Sequence, residues 1–303
     1  MRFVRLRFAI LALTTGFLLS SVIALSGESA SVSTKILRQH YDFERPEQHK
    51  LAAERHYLSQ VSSSVSETAR LVTVRVFSSP RTAGSGVIIE RQGQIYTVVT
   101  CDHVANSGQN NQYTILTPDG KTYQAYRQHL SSLESIDLTL LKFESVVPYQ
   151  VVVLGNFENV SIGEPVYASG FPNYYDRSPN RIDETFDWGV RAFRVTPGTL
   201  AMLLGDRSLA RGYKLGYTND VDQGMSGGAL LNRSGELIGI NGRGKYPLQG
   251  IDAFRFTDGT IPSQTLFEQL EALSWAIPIS IFQQKASYLP TNISSQRNPS
   301  IHY

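Results

Sequence analysis

The chain has 303 residues, enough for one large domain or two lobes with ample core. A net charge of +2 with 18% charged residues excludes the strong basic field that nucleic-acid binding relies on, so no nucleic-acid partner is expected. The single cysteine, Cys101, excludes an intrachain disulfide, and no internal repeat marks a solenoid or propeller.

At the N-terminus, Arg2, Arg5 and Arg7 precede an apolar run from Phe8 to Leu25, broken by Thr14, Thr15, Gly16, Ser20 and Ser21. Small residues follow at Ala24, Ser26 and Gly27. Residues 1–26 therefore read as a secretory signal, or alternatively as a retained membrane anchor. Both place the folded part outside the cytoplasm, periplasmic or secreted, with membrane contact only if the segment is kept. Residues 27–68 read as a polar linker and N-terminal helical segment, helical over Leu51 to Val61 and interrupted by Ser62, Ser63 and Ser64. His40, His49 and His56 fall here without metal-site spacing, and no metal is expected.

From Leu71 the pattern changes to short strands parted by turn residues. Leu71 to Val76 alternates; Gly84-Ser85-Gly86 leads into Val87 to Ile89; a turn at Gln92-Gly93 returns the chain along Ile95 to Thr100, which delivers His103 at its end. Tyr113 to Thr117 and Lys121 to Tyr126 flank Asp119-Gly120, a hairpin signal. Ile136 to Phe143 is an apolar strand with Asp137 near its start, and Val151 to Leu154 closes the first group. The second group holds Val166 to Gly170, Val190 to Val195, Lys214 to Thr218, Ala229 to Leu231 and Leu237 to Ile240. A helix over Ser263 to Leu273, the apolar stretch Ala276-Ile277-Pro278-Ile279 and a short helix to about Ala286 follow, then a Ser-, Asn- and Pro-rich tail at 288–303 that reads as disordered. The two groups suggest paired β-barrels or a sandwich.

Gly224-Met225-Ser226-Gly227-Gly228 frames a serine between glycines. Such a turn presents a hydroxyl and frees nearby N–H groups to converge on one point, as acyl transfer requires. The strand–turn–helix elbow of α/β-hydrolases shares the Gly-x-Ser-x-Gly spacing. Here, however, a strand, a Ser234-Gly235 turn and another strand follow, and the one downstream histidine is His302. Partners of Ser226 are therefore expected upstream. Cys101 follows an apolar run and reads as a buried small hydrophobe; a cysteine nucleophile paired with His103, two residues on, has poor geometry.

Four strings, Gly84-Ser85-Gly86-Val87-Ile88, Thr100-Cys101-Asp102-His103-Val104, Asp137-Leu138-Thr139-Leu140-Leu141-Lys142 and Gly224 to Gly228, occur in the order found in trypsin-like serine proteases, and the chain resembles their bacterial HtrA-type branch. Gly163 to Gly170, Gly239-Ile240-Asn241 and Ala276-Ile277-Pro278 add to the resemblance, which spans roughly Leu71 to Gln284. It implies an all-β protein of two six-stranded antiparallel β-barrels with peripheral helices, occupying residues 69–287 (lobe 1 about 69–155, lobe 2 about 160–287).

The resemblance also implies a serine endopeptidase acting on protein or peptide substrates through an acyl-enzyme, without a cofactor. His103 would be the general base, Asp137 its orienting carboxylate, Ser226 the nucleophile, and the N–H groups of Gly224 and Ser226 the oxyanion hole. Asp102 is a rival orienter, but neighbours on a strand face opposite ways, which favours Asp137. Asp220, six residues before Ser226, sits where trypsin-like enzymes bind an Arg or Lys side chain. With Asn219 and Asp222 it could equally form a solvated loop. Asn241 and Gly242, on the strand implied as the opposite wall, are further substrate-binding candidates, while Arg243 between Gly242 and Gly244 could favour acidic substrates.

Two departures matter. Met225 stands where digestive relatives carry an aspartate that pairs with a new N-terminus, so that activation route is not expected. The stretch after the second lobe is short, so a PDZ domain like those typical of HtrA-type enzymes is not expected there. The alternatives to a peptidase are a catalytically silent extracellular binding module and a hydrolase of small esters.

Overall fold

The computed structural model describes residues 59–285 except 80, 107–110, 157–158 and 179–180, all within the unit His56–Tyr303. The proposed signal or anchor, most of the linker and the tail lie outside the described residues. Among the described residues no helix is long and apolar enough to cross a membrane.

Helix α1 (59–72) runs straight through Ser62, Ser63 and Ser64, which were expected to break it. Burial of Val65, Ala69 and Val72, spaced four and three residues apart, explains why: one face packs on the core and overrides the weak serine propensity. It also claims Leu71 and Val72 from the expected first strand.

The first barrel comprises β1 (Thr73–Ser79), β2 (Thr82–Gln92), β3 (Ile95–Thr100), β4 (Gln112–Leu116), β5 (Thr122–Gln128) and β6 (Thr139–Glu144). It closes in the order β1-β2-β3-β6-β5-β4. Closure comes from β1 pairing with β4, so Val151 to Leu154, expected to finish the group, is not a strand and is held by an isolated bridge from Leu154 to Leu237 and by Val152 N–H donating to Ile88 O at 3.0 Å. Gly93 (φ 63°) and Gly120 (φ 84°) take the left-handed turns of the β2–β3 and β4–β5 hairpins.

The second barrel comprises β7 (Pro165–Gly170), β10 (Arg194–Leu203), β11 (Leu215–Tyr217), β12 (Ala229–Asn232), β13 (Leu237–Arg243) and β14 (Ser274–Pro278), closed as β10-β11-β14-β13-β12-β7. Closure removes the sheet edges that would otherwise invite association. Helices α3 (Gln264–Glu271) and α4 (Ile279–Lys285) flank β14, and Ser263 caps α3 by accepting from Leu266 N–H at 3.3 Å. The two six-stranded antiparallel barrels and few helices are the trypsin-like architecture that the sequence suggested.

One excursion was not foreseen: a two-stranded hairpin of β8 (Tyr174–Ser178) and β9 (Arg181–Glu184) between β7 and β10. Its roots are fixed by Arg75 of β1, fully buried, which donates to Thr185 O at 2.8 Å, Thr185 Oγ1 at 3.0 Å and Asn173 Oδ1 at 3.2 Å. The Phe77, Phe171 and Phe186 rings surround its guanidinium at 5.2, 6.0 and 5.4 Å. Burial pushes the Arg75 pKa down to about 10, against the pull of Asp187, leaving the group charged at neutral pH. Arg75→Met is expected to cost about 2–4 kcal/mol, read by denaturant unfolding, because it strips buried acceptors of their donor. A loss within error would mean that the aromatic packing alone holds the excursion.

Candidate active site

The Ser226 turn is built by its glycines and held from the other barrel. Gly224 (φ 99°) and Gly227 (φ 87°) sit in backbone regions that other residues rarely adopt. Ser85 of β2 grips both sides of the turn: its N–H donates to Ser226 O and its hydroxyl to Gly224 O, each at 2.8 Å. The same hydroxyl accepts from Phe171 N–H at 2.8 Å, and Thr100 Oγ1 donates to Ser85 O at 2.6 Å. This explains the Gly-Ser-Gly string physically. Gly84 and Gly86 leave room, since a Cβ at 84 would lie 2.6 Å from the Val104 side chain and 3.2 Å from Ser226 O.

Met225 N–H donates to Asp222 O at 2.9 Å, Gly227 N–H to Asn241 O at 2.7 Å and Gly228 N–H to Met225 O at 3.0 Å. Among the described residues the N–H groups of Gly224 and Ser226 have no protein acceptor. These are the two that the sequence nominates as oxyanion donors. The Ser226 hydroxyl, half-buried, donates to Gly242 O at 3.4 Å rather than to an imidazole.

His103 does not end a strand. After β3 the chain enters a one-turn helix, α2 (Asp102–Ala105), with Val104 and Ala105 buried. Packing of Val104 against Gly84 brings α2 alongside the Ser226 backbone. Asp137 lies in the turn before β6, buried, and accepts from His103 N–H on Oδ1 at 2.9 Å, while its Oδ2 meets His103 Nδ1 at 2.7 Å. The other ring nitrogen is thereby left to face outward on a half-exposed imidazole.

Asp102, the rival orienter, is held instead by Arg127 and by Arg211 (2.6 Å). The sequence reason for setting it aside, alternation along a strand, does not apply in a helical turn. The arginines are the physical cause.

Burial is the largest influence on the Asp137 carboxyl and raises its pKa. The hydrogen bond and charge of His103, the Tyr213 hydroxyl and the His103 N–H together outweigh it, so the net is below the ordinary 3.8. A folded pKa below the unfolded one contributes stability that is complete above the ordinary value and lost as pH falls through the folded one. Acid titration is therefore expected to erode the stability of the parent below about pH 4 more steeply than that of Asp137→Asn; parallel curves would show the carboxylate contributes nothing.

Cys101 is fully buried and donates to Asn241 O at 3.2 Å; burial, then the Asp137 charge, pushes its thiol well above the usual range. It is a small core residue, not a nucleophile. Ligand atoms of Cys101, His103 and Asp137 lie within 4.8 Å of one another, the one grouping of metal-ligating type among the described residues. Each already has a protein partner.

The expected specificity residues are arranged differently. Asp220 has a mostly exposed carboxylate (76%) paired at 2.7 Å with Lys245, which also donates to Thr218 O at 2.7 Å. Asn241, expected to touch substrate, is wholly buried: Oδ1 accepts from Tyr217 OH at 2.8 Å, and Nδ2 donates to Ser169 O and Ala229 O at 3.0 Å. It ties β7, β11, β12 and β13 together. Gly242 does face the site, through its carbonyl. Arg243 is turned inward over the Tyr213 and Phe254 rings and bonded to Ala253 O. Residues that the sequence did not reveal are Ser85 as a grip on the serine turn, and Tyr213 and Arg211, whose contacts reach Asp137 across more than 70 positions.

Fold and site together define a double-barrel protein with a hydroxyl, a carboxylate-bound imidazole and free backbone donors gathered where the barrels meet. The family model for the trypsin-like peptidase domain matches residues 84–240, about half of the chain. The chain belongs to that family. It is 28% identical over 201 residues to the serine endoprotease DegS of Salmonella typhimurium, covering 66% of this chain and 46% of the relative. It is 32% identical over 165 residues to the serine protease HTRA1 of Xenopus tropicalis (54% and 31%). To human serine protease HTRA4 it is 27% identical over 242 residues (78% and 43%). The chain thus spans less than half the length of these relatives.

Proposed function

We propose that the protein is an extracytoplasmic serine endopeptidase that cleaves polypeptides through an acyl-enzyme on Ser226. The observation that carries this reading is the His103–Asp137 pair, with Nδ1 on Oδ2 at 2.7 Å, beside a serine turn whose Gly224 and Ser226 N–H groups are unpaired. In this reading the Ser226 hydroxyl leaves Gly242 O, by rotation about its Cα–Cβ bond, to meet the outward ring nitrogen. His103 then accepts the hydroxyl proton as the oxygen attacks the scissile carbonyl, and later returns it to the leaving amine. Asp137 holds the tautomer and stabilises the imidazolium. The unpaired N–H groups receive the oxyanion, and no cofactor takes part.

Location outside the cytoplasm rests on the Arg-led apolar run at residues 1–26. Cleavage after Arg or Lys through Asp220 draws no support from the site, because that carboxylate is exposed and already carries Lys245 as its counter-ion. Substrates are proteins or peptides rather than small esters or a silent binding partner, in keeping with relatives named as proteases.

A fluorophosphonate probe tests the reading. The parent is expected to be labelled on Ser226, and His103→Ala to lose labelling and casein hydrolysis together, because the serine then has no base to take its proton. No adduct at Ser226, or full labelling of the His103→Ala variant, would sink it.

A further inference from the structure

One turn of the second barrel places three hydrogen bonds on a single residue of the first. The turn is Leu209–Tyr213, closed by Leu209 N–H to Tyr213 O at 2.9 Å. Arg211 O accepts the Asp137 N–H at 2.9 Å, and the Arg211 guanidinium reaches Asp137 Oδ1 at 3.4 Å. Tyr213 OH donates to Asp137 Oδ2 at 2.5 Å, the oxygen that His103 Nδ1 also meets. We infer that this turn is an inter-barrel latch and that Tyr213 and Arg211 are positioning residues, fixing the carboxylate that orients His103. The inference rests on the triad reading above.

Packing alone does not account for these residues. Arg211 has a side chain 45% exposed, so it fills no core, yet its backbone adopts φ 67°, a conformation strained for anything but glycine. Its guanidinium spans Asp102 and Asp137. Tyr213 is buried, and that burial, with the nearby Cys101 and Asp137, raises its phenol well above the ordinary value. It therefore stays protonated and can donate. The hydroxyl also lies against Gly242, where no Cβ could fit, and the Gly242 carbonyl is the one that Ser226 Oγ meets. One phenol thus touches the carboxylate and borders the serine's acceptor. Gly212 beside it (φ 94°) lets the chain pass Ile136, to whose Cγ2 a Cβ would come within 3.0 Å.

The charged and titratable groups facing the pair are Asp102 of α2, Arg127 of β5, Arg211 and Tyr213 of the latch, Cys101, and Arg243 of β13. Tyr213 and Arg211 both draw negative charge away from Asp137. Removing either leaves a stronger proton acceptor facing the imidazole, so the imidazolium persists to higher pH; it also frees the carboxylate to turn.

Two variants test this in the full chain. Tyr213→Phe keeps the ring and is expected to lower kcat about tenfold, equivalent to ~1.4 kcal/mol, with KM within about twofold. The acid limb of its rate profile should move up by roughly half a pH unit. Arg211→Gly relaxes the backbone, so its Tm should equal or exceed the parent's while the acid limb still moves up. Arg211→Lys should return the limb towards the parental position. Parental kcat and an unmoved acid limb in both Tyr213→Phe and Arg211→Gly would overturn the latch.

A readout without turnover separates this from failure of the catalytic proposal. The proton NMR signal of the His103 Nδ1–H, held against Asp137, is expected to shift in both variants whether or not the parent labels with fluorophosphonate. An unmoved signal overturns the latch; an unlabelled parent overturns the triad reading instead.

Discussion

Ser226→Ala is expected to reduce peptide hydrolysis by a factor on the order of 10⁶ and to leave the melting temperature nearly unchanged. The structural cost is small, because the hydroxyl is half-buried and makes one long bond, 3.4 Å to Gly242 O. Losing such a bond is worth at most about 1 kcal/mol. Catalytically, alanine has no atom to attack with, and what survives is the rate lent by substrate binding and the oxyanion donors. His103→Ala should fall nearly as far, since an unassisted serine is a poor nucleophile at neutral pH, and combining the two should add little. Asp137→Asn should lose about 10⁴, because an amide favours the wrong imidazole tautomer. Casein hydrolysis by purified variants, with unfolding curves alongside, decides the matter. A Ser226→Ala protein cleaving at the parental rate would end the peptidase assignment.

Gly227→Ala should be the most damaging single-methyl change to the fold. The added Cβ would fall on the Ser85 carbonyl oxygen and on Thr100 Oγ1, well inside contact distance, in a backbone conformation (φ 87°) that already disfavours alanine. Neither obstacle can step aside: Ser85 is buried in β2 with its N–H and hydroxyl committed to the serine turn. We expect a loss above about 4 kcal/mol, or no soluble protein. Gly163→Ala isolates the conformational part, having φ 92° but nothing within 4 Å of the added atom. It should cost about 1–2 kcal/mol. Equal losses at the two positions in chemical denaturation would show that the clash at 227 is absorbed.

What could be read in advance divides along physical lines. Strands with a local signature were legible. Ile95 to Thr100 is a strand with those same bounds, and Asp119-Gly120 marks the β4–β5 hairpin because its glycine must turn left-handed. Elements set by distant packing were not. The serines of α1 hid a helix that exists because Val65, Ala69 and Val72 find a core. The strand expected over Val190 to Val195 instead begins at Arg194 and runs on to Leu203, because pairing with β7 carries it through Pro197 and Gly198. Val151 to Leu154 has the composition of a strand but no ladder partner. The β8–β9 excursion is pinned by Arg75, about a hundred residues upstream.

Within the site, His103, Asp137 and Ser226 stood out because the chemistry demands those residue types in recognisable strings. Their supports could be almost any residue with a suitable donor, so Tyr213, Arg211 and the grip of Ser85 left no local trace. Asp220 misled for a related reason: offset along the chain carries no information about the lysine across from it.

The grip of Ser85 on residues 224 and 226 has a bearing on how the cell makes this protein. Ser85 leaves the ribosome 139 residues before Gly224, so the serine turn can only take its shape after the chain has emerged past Ser226 and both halves have met. A nascent or half-folded molecule therefore lacks the assembled turn at Ser226, and chain order alone delays its formation until the two barrels have met.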